Sequence, residues 1–588
     1  MPSAPDGAGH TVSMTARSSR DARATGVAHR RAPGGAWLPV AILASAQFVM
    51  VLDSSVMNVS ISQICADLGT TVQGVQAAIT LYTLVMAAFM LVGAKLGDIW
   101  GRDRAFAIGL AVYAAGAAIT AISPNLAVLL VGWSLIEGLG AVMVVPAVAA
   151  LIAANYEGRQ RALAYGIIGG VAAAAVAAGP LIGGWVTTAF SWRLVFVGEV
   201  GIAAVILLLR KRMRPSPRPD RKPRLDYAGA ALSAGGFGLV VFAILMSSTW
   251  GWVTPIGAPT IGGREITPFG FSVVPFLVLA GLGLLWAFAS WEERRARLGL
   301  DALLDLAMLR IGTLRAGLMT LGMQQFVLLG TFFVLPVYLQ VVIGLDAFET
   351  GMRVIPMSVM MLASALAGPR MAARRSPRRV SQLGLLALAV GAFIILGTIE
   401  VTLDSLGFAI GLAVYGVGAG LLASQLGNII MSSVRPHQTN EAGGLQGTAQ
   451  NIGASLGTAL IGSILLIGLT NGFVERISTN PDVPPDVQAA LTAAAAEKPL
   501  PVVTVAQAET FLVQAGLPAD EAAVVAADYG AALLDGLRNA VGAAAVFALL
   551  AFWFTRKLPG RAPDAPHAAE AEGHADPTAA TDPAAAAL

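Results

Sequence analysis

Cysteine is all but missing: 588 residues contain one, Cys65. A lone thiol excludes an internal disulfide and any metal site built on paired thiolates, and its default role is packing. Charge is nearly as scarce. Asp, Glu, Lys and Arg make up 12% of the chain, where an ordinary soluble protein carries about a quarter. No phosphate-cradling loop, catalytic triad or cluster with metal-ligand spacing occurs, so neither an enzyme nor a cofactor carrier is expected. Energy coupling, if there is any, must come from an ion gradient.

What the chain has instead is apolar length. It is 56% hydrophobic, and runs of about twenty apolar residues, enough to cross roughly 30 Å of hydrocarbon as helix, recur throughout. They lie near 37–61, 74–93, 105–122, 126–148, 163–188, 194–210, 227–248, 271–291, 313–338, 350–368, 380–400, 406–427, 445–470 and 536–555. The expected fold is therefore an all-α membrane protein with fourteen spans, and an even number leaves both termini on one side.

The basic residues say which side. With the N-terminus inside, 32 of the 38 Lys and Arg fall on inner segments, including eight from Arg210 to Arg224. Only Arg193, Arg264, Arg353, Arg476, Lys498 and Arg538 fall at or near outer ones. This asymmetry predicts cytoplasmic termini in a cell membrane. The net charge of +3 comes from bases spread over many short loops, so the expected contact is with anionic lipid and not nucleic acid.

Residues 1–35 are rich in Arg, Ser and Ala without an apolar core, and 557–588 are Ala/Pro-rich and acidic with two sparse histidines, His567 and His574. Both read as disordered cytoplasmic tails. The outer segment 471–535 carries nine acids and two bases, and its apolar periodicity predicts two or three short helices that either cap a pathway or are a passive insertion. The segments "GAKLGDIWGRDR" (93–104) and "GPRMAARRSPRR" (368–379) both begin with Gly at an inner helix end and close with Arg at the same offset. They suggest a parallel repeat, with bundles at 36–212 and 313–556 and two additional helices inserted at 213–312.

The acids inside the spans are the most informative residues. A charge at mid-bilayer costs at least about 2.5 to 3.5 kcal/mol, so such groups ordinarily serve a function. Asp53, in "VLDSSVMNVS", is the only charge between Arg31 and Asp67, and Glu137 is the only one between Arg104 and Glu157. Glu199 lies in the outer half of the sixth run, with Arg193 as a candidate partner. The alternative for Asp53 is a packing acid hydrogen-bonded to Ser54, Asn58 or backbone. Counting helical rise places Asp53 roughly 8 Å outward of Glu137, as the outer member of a pair lining a central cavity.

Several of these stretches resemble one family. "GAKLGDIWGRDR" resembles the loop motif G-x-L-x-D-R-x-G-R-R of the major facilitator superfamily, with Ala94, Ile99 and Asp103 departing from it. "AAGPLIGGW" (177–185) resembles the superfamily's antiporter motif ending G-P-x-x-G-G, and "VLDSSVMNVS" resembles L-D-x-T-x-x-N-V-A of the fourteen-span drug:proton antiporters of the EmrB/QacA type. "FSWRLVFVGEVGIA", "LDYAGA" and "EAGGLQGTAQNIGASLGTAL" resemble the same branch. "GWSLIEG" resembles its R-x-x-Q-G motif, with Ser134 in place of the Arg and Glu137 in place of the Gln.

The resemblance implies two six-helix bundles plus two additional helices, and proton-coupled efflux of amphipathic, cationic or aromatic small molecules by a monomer. Asp53, Glu137 and Glu199 would couple protons to substrate. Gly93, Asp98, Gly101, Arg102 and Arg104 would form a gating loop, with Asp98 either bonding a neighbouring helix N-terminus or pairing with Arg102, Arg104, Arg159 or Arg161. Gly179, Pro180, Gly183 and Gly184 would give a smooth, bendable strip, which ordinary small-residue packing also requires. Burial favours the protonated carboxyl and a cationic substrate favours the ionised one, so proton and substrate compete for one site. One charge crossing 100 mV yields about 2.3 kcal/mol and a tenfold proton gradient about 1.4, enough for a gradient of several hundredfold per proton. Two other readings stand: export or flipping of a lipid or endogenous metabolite, and, as a minor one, a non-transporting receptor.

Overall fold

The computed structural model describes residues 37–560 except 71, 157, 213–223, 256, 263, 436–437 and 498–499. Residues 1–38 and 39–588 are separate units, and only Trp37 and Leu38 of the first are described. The predicted tail 1–35, and 557–588 beyond residue 560, lie outside the described residues.

Backbone amides can be satisfied inside hydrocarbon only within helices or closed barrels, and this chain uses helices. In order they are α1 (Leu38–Val59), α2 (Ile61–Leu68), α3 (Val72–Trp100), α4 (Arg102–Ala121), α5 (Leu126–Asn155), α6 (Gly158–Ala178), α7 (Gly184–Ala189) and α8 (Arg193–Leu209). The inserted pair is α9 (Tyr227–Trp250) and α10 (Val274–Arg297), followed by α11 (Gly312–Val342), α12 (Ala347–Arg374), α13 (Pro377–Leu396) and α14 (Ser405–Ser432). The last are α15 (Thr439–Thr479), α16 (Pro485–Glu497), α17 (Val505–Gln514) and α18 (Ala519–Ala551). A two-residue hairpin pairs Thr260 with Glu265 in the loop after α9.

Among the described residues, twelve helices are long and apolar enough to cross a membrane, and α6 with α7, bent by 41° at their junction, make a thirteenth. The remaining run predicted at 194–210 folds as α8, whose 17 residues rise about 26 Å and continue into a 3-10 turn at Arg210–Arg212, at the short end of the roughly 17–25 residues that cross a hydrocarbon core.

The segment 471–535 is less of a loop than its composition predicts. α15 continues without a breaker to Thr479 and α18 begins at Ala519. The two extensions stay paired because Gly468 meets Gly536 with no room for a side chain, a Cβ there falling 2.8 Å from Gly536 Cα. Arg476 reaches Asp535 at 2.6 Å. The two short helices α16 and α17 fill the remainder.

The segments 93–104 and 368–379 are not loops either. α3 runs to Trp100 and α4 starts at Arg102, leaving Gly101 alone between them; α12 runs to Arg374 and α13 starts at Pro377, leaving Arg375 and Ser376. Gly101 (φ 91°) and Ser376 (φ 149°) both take positive φ, 275 positions apart. The same spacing recurs in the packing. Gly109 and Gly384, and Gly116 and Gly391, are again 275 apart and sit at the same helix crossings, α4 on α5 and α13 on α14. A Cβ on Gly116 would fall 2.7 Å from Glu137 Cα, and one on Gly391 would fall 2.7 Å from Tyr415 Cα. Tyr415 therefore stands in the second crossing where Glu137 stands in the first, and Leu388, which abuts Gly418, stands where Tyr113, which abuts Gly140, does.

Such contacts leave no slack, since interiors are packed as densely as crystals. Gly116→Val is expected to push α4 off α5 and cost about 1–3 kcal/mol, read as a lower thermal midpoint of the purified protein; an unchanged midpoint would show that the helices do not meet there.

Candidate functional site

Three of the helices around that first crossing each deliver one acid to a common point. Asp53 on α1, Glu137 on α5 and Glu199 on α8 are buried, and one carboxylate oxygen from each lies within 4.8 Å of the others. Glu137 closes a π-helical stretch, Leu130–Glu137, inside α5. Such a turn adds a residue to the helical repeat and rotates the remainder of the helix, and it is a feature frequent at functional sites. Gly116 lets Glu137 lie directly against α4.

The surroundings are aromatic and neutral. Trp133 Nε1 donates to Asp53 Oδ1 at 2.8 Å and the Tyr113 hydroxyl donates to Glu199 Oε2 at 3.2 Å. Tyr82 from α3 stacks on Trp133, with centroids 4.9 Å apart and planes within 7°, and Ser134 Oγ donates to the Ala78 carbonyl at 2.8 Å, tying α5 to α3. Among the described residues, Asp53 Oδ2, both oxygens of Glu137 and Glu199 Oε1 make no hydrogen bond of ordinary geometry. Among the described residues no Lys or Arg forms an ion pair with any of the three.

Two full negative charges 4.8 Å apart repel by about 3.5 kcal/mol at an effective dielectric of about 20. Three such pairs in one buried cluster are of order 10 kcal/mol, so the acids cannot all be ionised without a counter-charge. Protons, a cationic group or an ion ligated by one oxygen from each acid would supply it.

Two expectations are corrected here. Glu199 does not pair with Arg193, which bonds Asp67 at 2.8 Å and the Ser123 carbonyl at 3.0 Å and lies over Trp192. Asp53 and Glu137 are not about 8 Å apart in depth along the pathway but members of one cluster, because counting residues along each helix ignores tilt, starting level and the π turn. The donors Trp133 and Tyr113, and Tyr82 stacked behind Trp133, were not among the expected site residues. Their only signal was position, Trp133 four residues before Glu137, and aromatic residues in an apolar run read as core.

The antiporter motif presses on the same helix as Asp53. Gly179, Pro180 and Gly183 form a π-helical stretch, Gly179–Gly183, leading into α7 at the buried Gly184. A side chain at Gly179 would overlap that of Ser55, and a Cβ at Gly183 would come 2.8 Å from Val56 Cγ2. The 41° bend of α6–α7 falls here.

Of the expected gating residues, Asp98 lies where α3 meets α15. Asp98 accepts a hydrogen bond from Asn440 Nδ2, 342 residues away in sequence, and Lys95 Nζ lies 3.5 Å from Glu441 Oε1. Asn440 and Glu441 open α15 and were not among the expected site residues. Gly93 is inside α3, pressed against Val142 of α5, and does not mark a helix end. Arg102 Nη1 donates to the Ala150 carbonyl at 3.3 Å, Asp103 pairs with Arg210 at 3.2 Å, and Arg104 is exposed.

A family model described as Major Facilitator Superfamily matches residues 43–248 and 240–458. The chain belongs to the major facilitator superfamily. A relative named as a probable actinorhodin transporter, from Streptomyces coelicolor, is 28% identical over 435 residues, 73% of this chain and 72% of that one. The tetracenomycin C resistance and export protein of Streptomyces glaucescens is 28% identical over 462 residues, 77% of this chain and 80% of that one. The crystal structure of the human organic anion transporter MFSD10 covers 89% of this chain and 98% of its own, with a TM-score of 0.53 at 13% identity. At that identity the likeness is one of fold: this superfamily member is a multi-pass helical membrane protein.

The Asp98–Asn440 contact joins α3 to α15 beside the Lys95–Glu441 pair. Asp98→Ala and Asn440→Ala are expected to be non-additive, with a coupling energy of about 0.5–3 kcal/mol in a double-mutant unfolding cycle; additive losses would show that the two side chains do not act together.

Proposed function

We propose that this protein is an efflux transporter, a proton-coupled antiporter that exports amphipathic, cationic or aromatic small molecules, with Asp53, Glu137 and Glu199 as one exchange site. The observation that carries the reading is the buried acid cluster, which among the described residues has no cationic partner. A cluster that must be neutralised takes either protons or a positively charged guest, and exclusion of one by the other is what exchange requires. The names of the two Streptomyces relatives, a transporter and an export protein, support the direction. The stacked Tyr82 and Trp133 beside the cluster offer flat, polarisable faces suited to aromatic cations.

In this reading residues 36–212 and 313–556 are the two bundles and 213–312 carries the inserted pair. The antiporter motif bears on α1, so bending at Gly179–Gly183 shifts the helix that carries Asp53. Parting of α3 from α15 at Asp98–Asn440 opens the end that carries most of the basic residues, which we place in the cytoplasm with both termini. A single chain suffices for this cycle.

A second reading, export of a lipid or lipid-like metabolite, is favoured by one feature. An apolar groove of about 520 Å³ runs between α3 and α9, lined by Leu81, Leu84, Val85, Phe89, Gly238 and Phe242. Val85 also borders Gly138, next to Glu137. A hydrophobic guest in that groove would lie against the outside of the helix whose Tyr82 borders the acids.

In inside-out vesicles with an imposed pH gradient, Asp53→Asn and Glu137→Gln are each expected to lower uptake of a cationic dye by at least about tenfold. Intact pH-driven uptake in both variants would sink the antiport mechanism, and lipid translocation indifferent to the gradient would favour the second reading. Orientation has its own test, because α2 carries the one thiol at the end of α1 opposite the N-terminus. A membrane-impermeant maleimide is expected to label Cys65 in intact cells. Burial pushes this thiol's pKa up, so labelling is expected to quicken as pH rises toward the thiol range. Labelling only after the membrane is broken would reverse the assigned topology.

A further inference from the structure

Residues 301–310, between the inserted pair and α11, are held far more firmly than a passive connection requires. The Asp301 carbonyl accepts from Arg295 Nε and Nη2 at 2.9 and 2.7 Å, and its carboxylate accepts from the Arg224 amide at 3.0 Å. Arg295 is itself fixed by Asp226 at 3.2 Å, whose carboxylate also accepts from Trp291 Nε1 at 2.7 Å. The amides of Leu303 and Leu304 both donate to Glu292 Oε2, at 2.8 and 3.4 Å, while their side chains are buried. This half of the segment belongs to α9 and α10.

The next residue changes allegiance. The Asp305 amide donates to Glu441 Oε2 at 2.9 Å, Gln438 Nε2 donates to Asp305 Oδ2 at 2.9 Å, and Asp305 Oδ1 caps the following turn through the Ala307 amide at 3.0 Å. Met308 is buried behind it. Glu441 turns its other oxygen to Lys95 of α3, and its neighbour Asn440 holds Asp98. One carboxylate thus grips the strap with one oxygen and α3 with the other. Its pair with Lys95 is nearly closed to solvent, the side chains being 14% and 8% exposed, so salt screens it little.

We propose that 301–310 is a clasp. It is anchored on the inserted pair α9–α10, pinned by Glu441, and holds α3 against the start of α15, so the additional helices set how readily that end of the molecule opens. The inference rests on the reading that α3 and α15 part during transport. Because the contacts are made to ionised carboxylates, they are among the stronger hydrogen bonds available to a backbone amide. A change at Glu292, which hydrogen-bonds neither α3 nor α15 and otherwise touches α3 only through the action of its charge on Lys95, then bears on the gate chiefly through the strap.

Hydrogen–deuterium exchange on the full-length protein tests this in the wild type, Glu292→Ala and Glu441→Ala. Both variants are expected to raise exchange about tenfold in 301–310 and also in 95–104 and 438–443. Glu293→Gln, an exposed neighbour paired with Arg297, serves as control and leaves all three segments unchanged. If Glu292→Ala frees 301–310 while 95–104 and 438–443 keep wild-type rates, the clasp is refuted. Should Glu441→Ala fail to fold, Glu292→Ala decides alone. Absence of transport in the wild type would count against the proposed function and leave the exchange result standing.

Discussion

Three carboxyl groups share one buried point among helices, with two neutral donors and, among the described residues, no Lys or Arg paired with them. Much else in this half of the molecule depends on that constraint. Glu137 reaches the point only because Gly116 lets α5 touch α4, and Tyr113 faces Glu199 because Gly140 lets the same helices stay close further along. Trp133 reaches Asp53 from the π-helical turn that ends at Glu137, and Tyr82 supports its ring from α3. Glycine, aromatic and acid are parts of one arrangement: the small residues create the approach, the rings exclude water and donate, and the acids are left with unmet electrostatic demand.

The two halves repeat the packing without repeating the chemistry. Gly101, Gly109 and Gly116 have counterparts at Ser376, Gly384 and Gly391, and the same crossing is made at the same closeness. Yet Glu137 is answered by Tyr415, whose hydroxyl donates to the Val327 carbonyl at 2.9 Å, and Tyr113 by Leu388. The second crossing is therefore internally satisfied where the first is not. The repeat thus keeps the contact surface in both members while concentrating the unbalanced charge in one.

Motion would be resisted where α3 meets α15. There the polar contacts run between distant parts of the chain and link together, Asp98 to Asn440, Glu441 to Lys95, and Glu441 onward to the strap. Helix α3 carries Tyr82 beside the acids near its middle and Asp98, bonded to Asn440, near its C-terminal end. One rigid helix, stiffened by its own hydrogen bonds, relates the two without any need for a wire of side chains.

The membrane class, the helical fold, the buried acids Asp53, Glu137 and Glu199, and the close-packed glycine strip at Gly179–Gly184 were all legible in the chain. The reason is local: an uninterrupted apolar run has to be helical in lipid, and a charge inside one stands out against it. The expected loop at 93–104 misled because bases and glycines read as a turn, whereas helices in this protein run on past the apolar stretch until Gly101 alone breaks them. Only tertiary structure decided that the three acids meet, that Arg193 belongs to Asp67, that Trp133 and Tyr113 are their donors and that Asn440 faces Asp98. Those facts depend on the tilt, level and rotation of helices hundreds of residues apart, which are set by where glycines allow close approach and leave no mark within any one span.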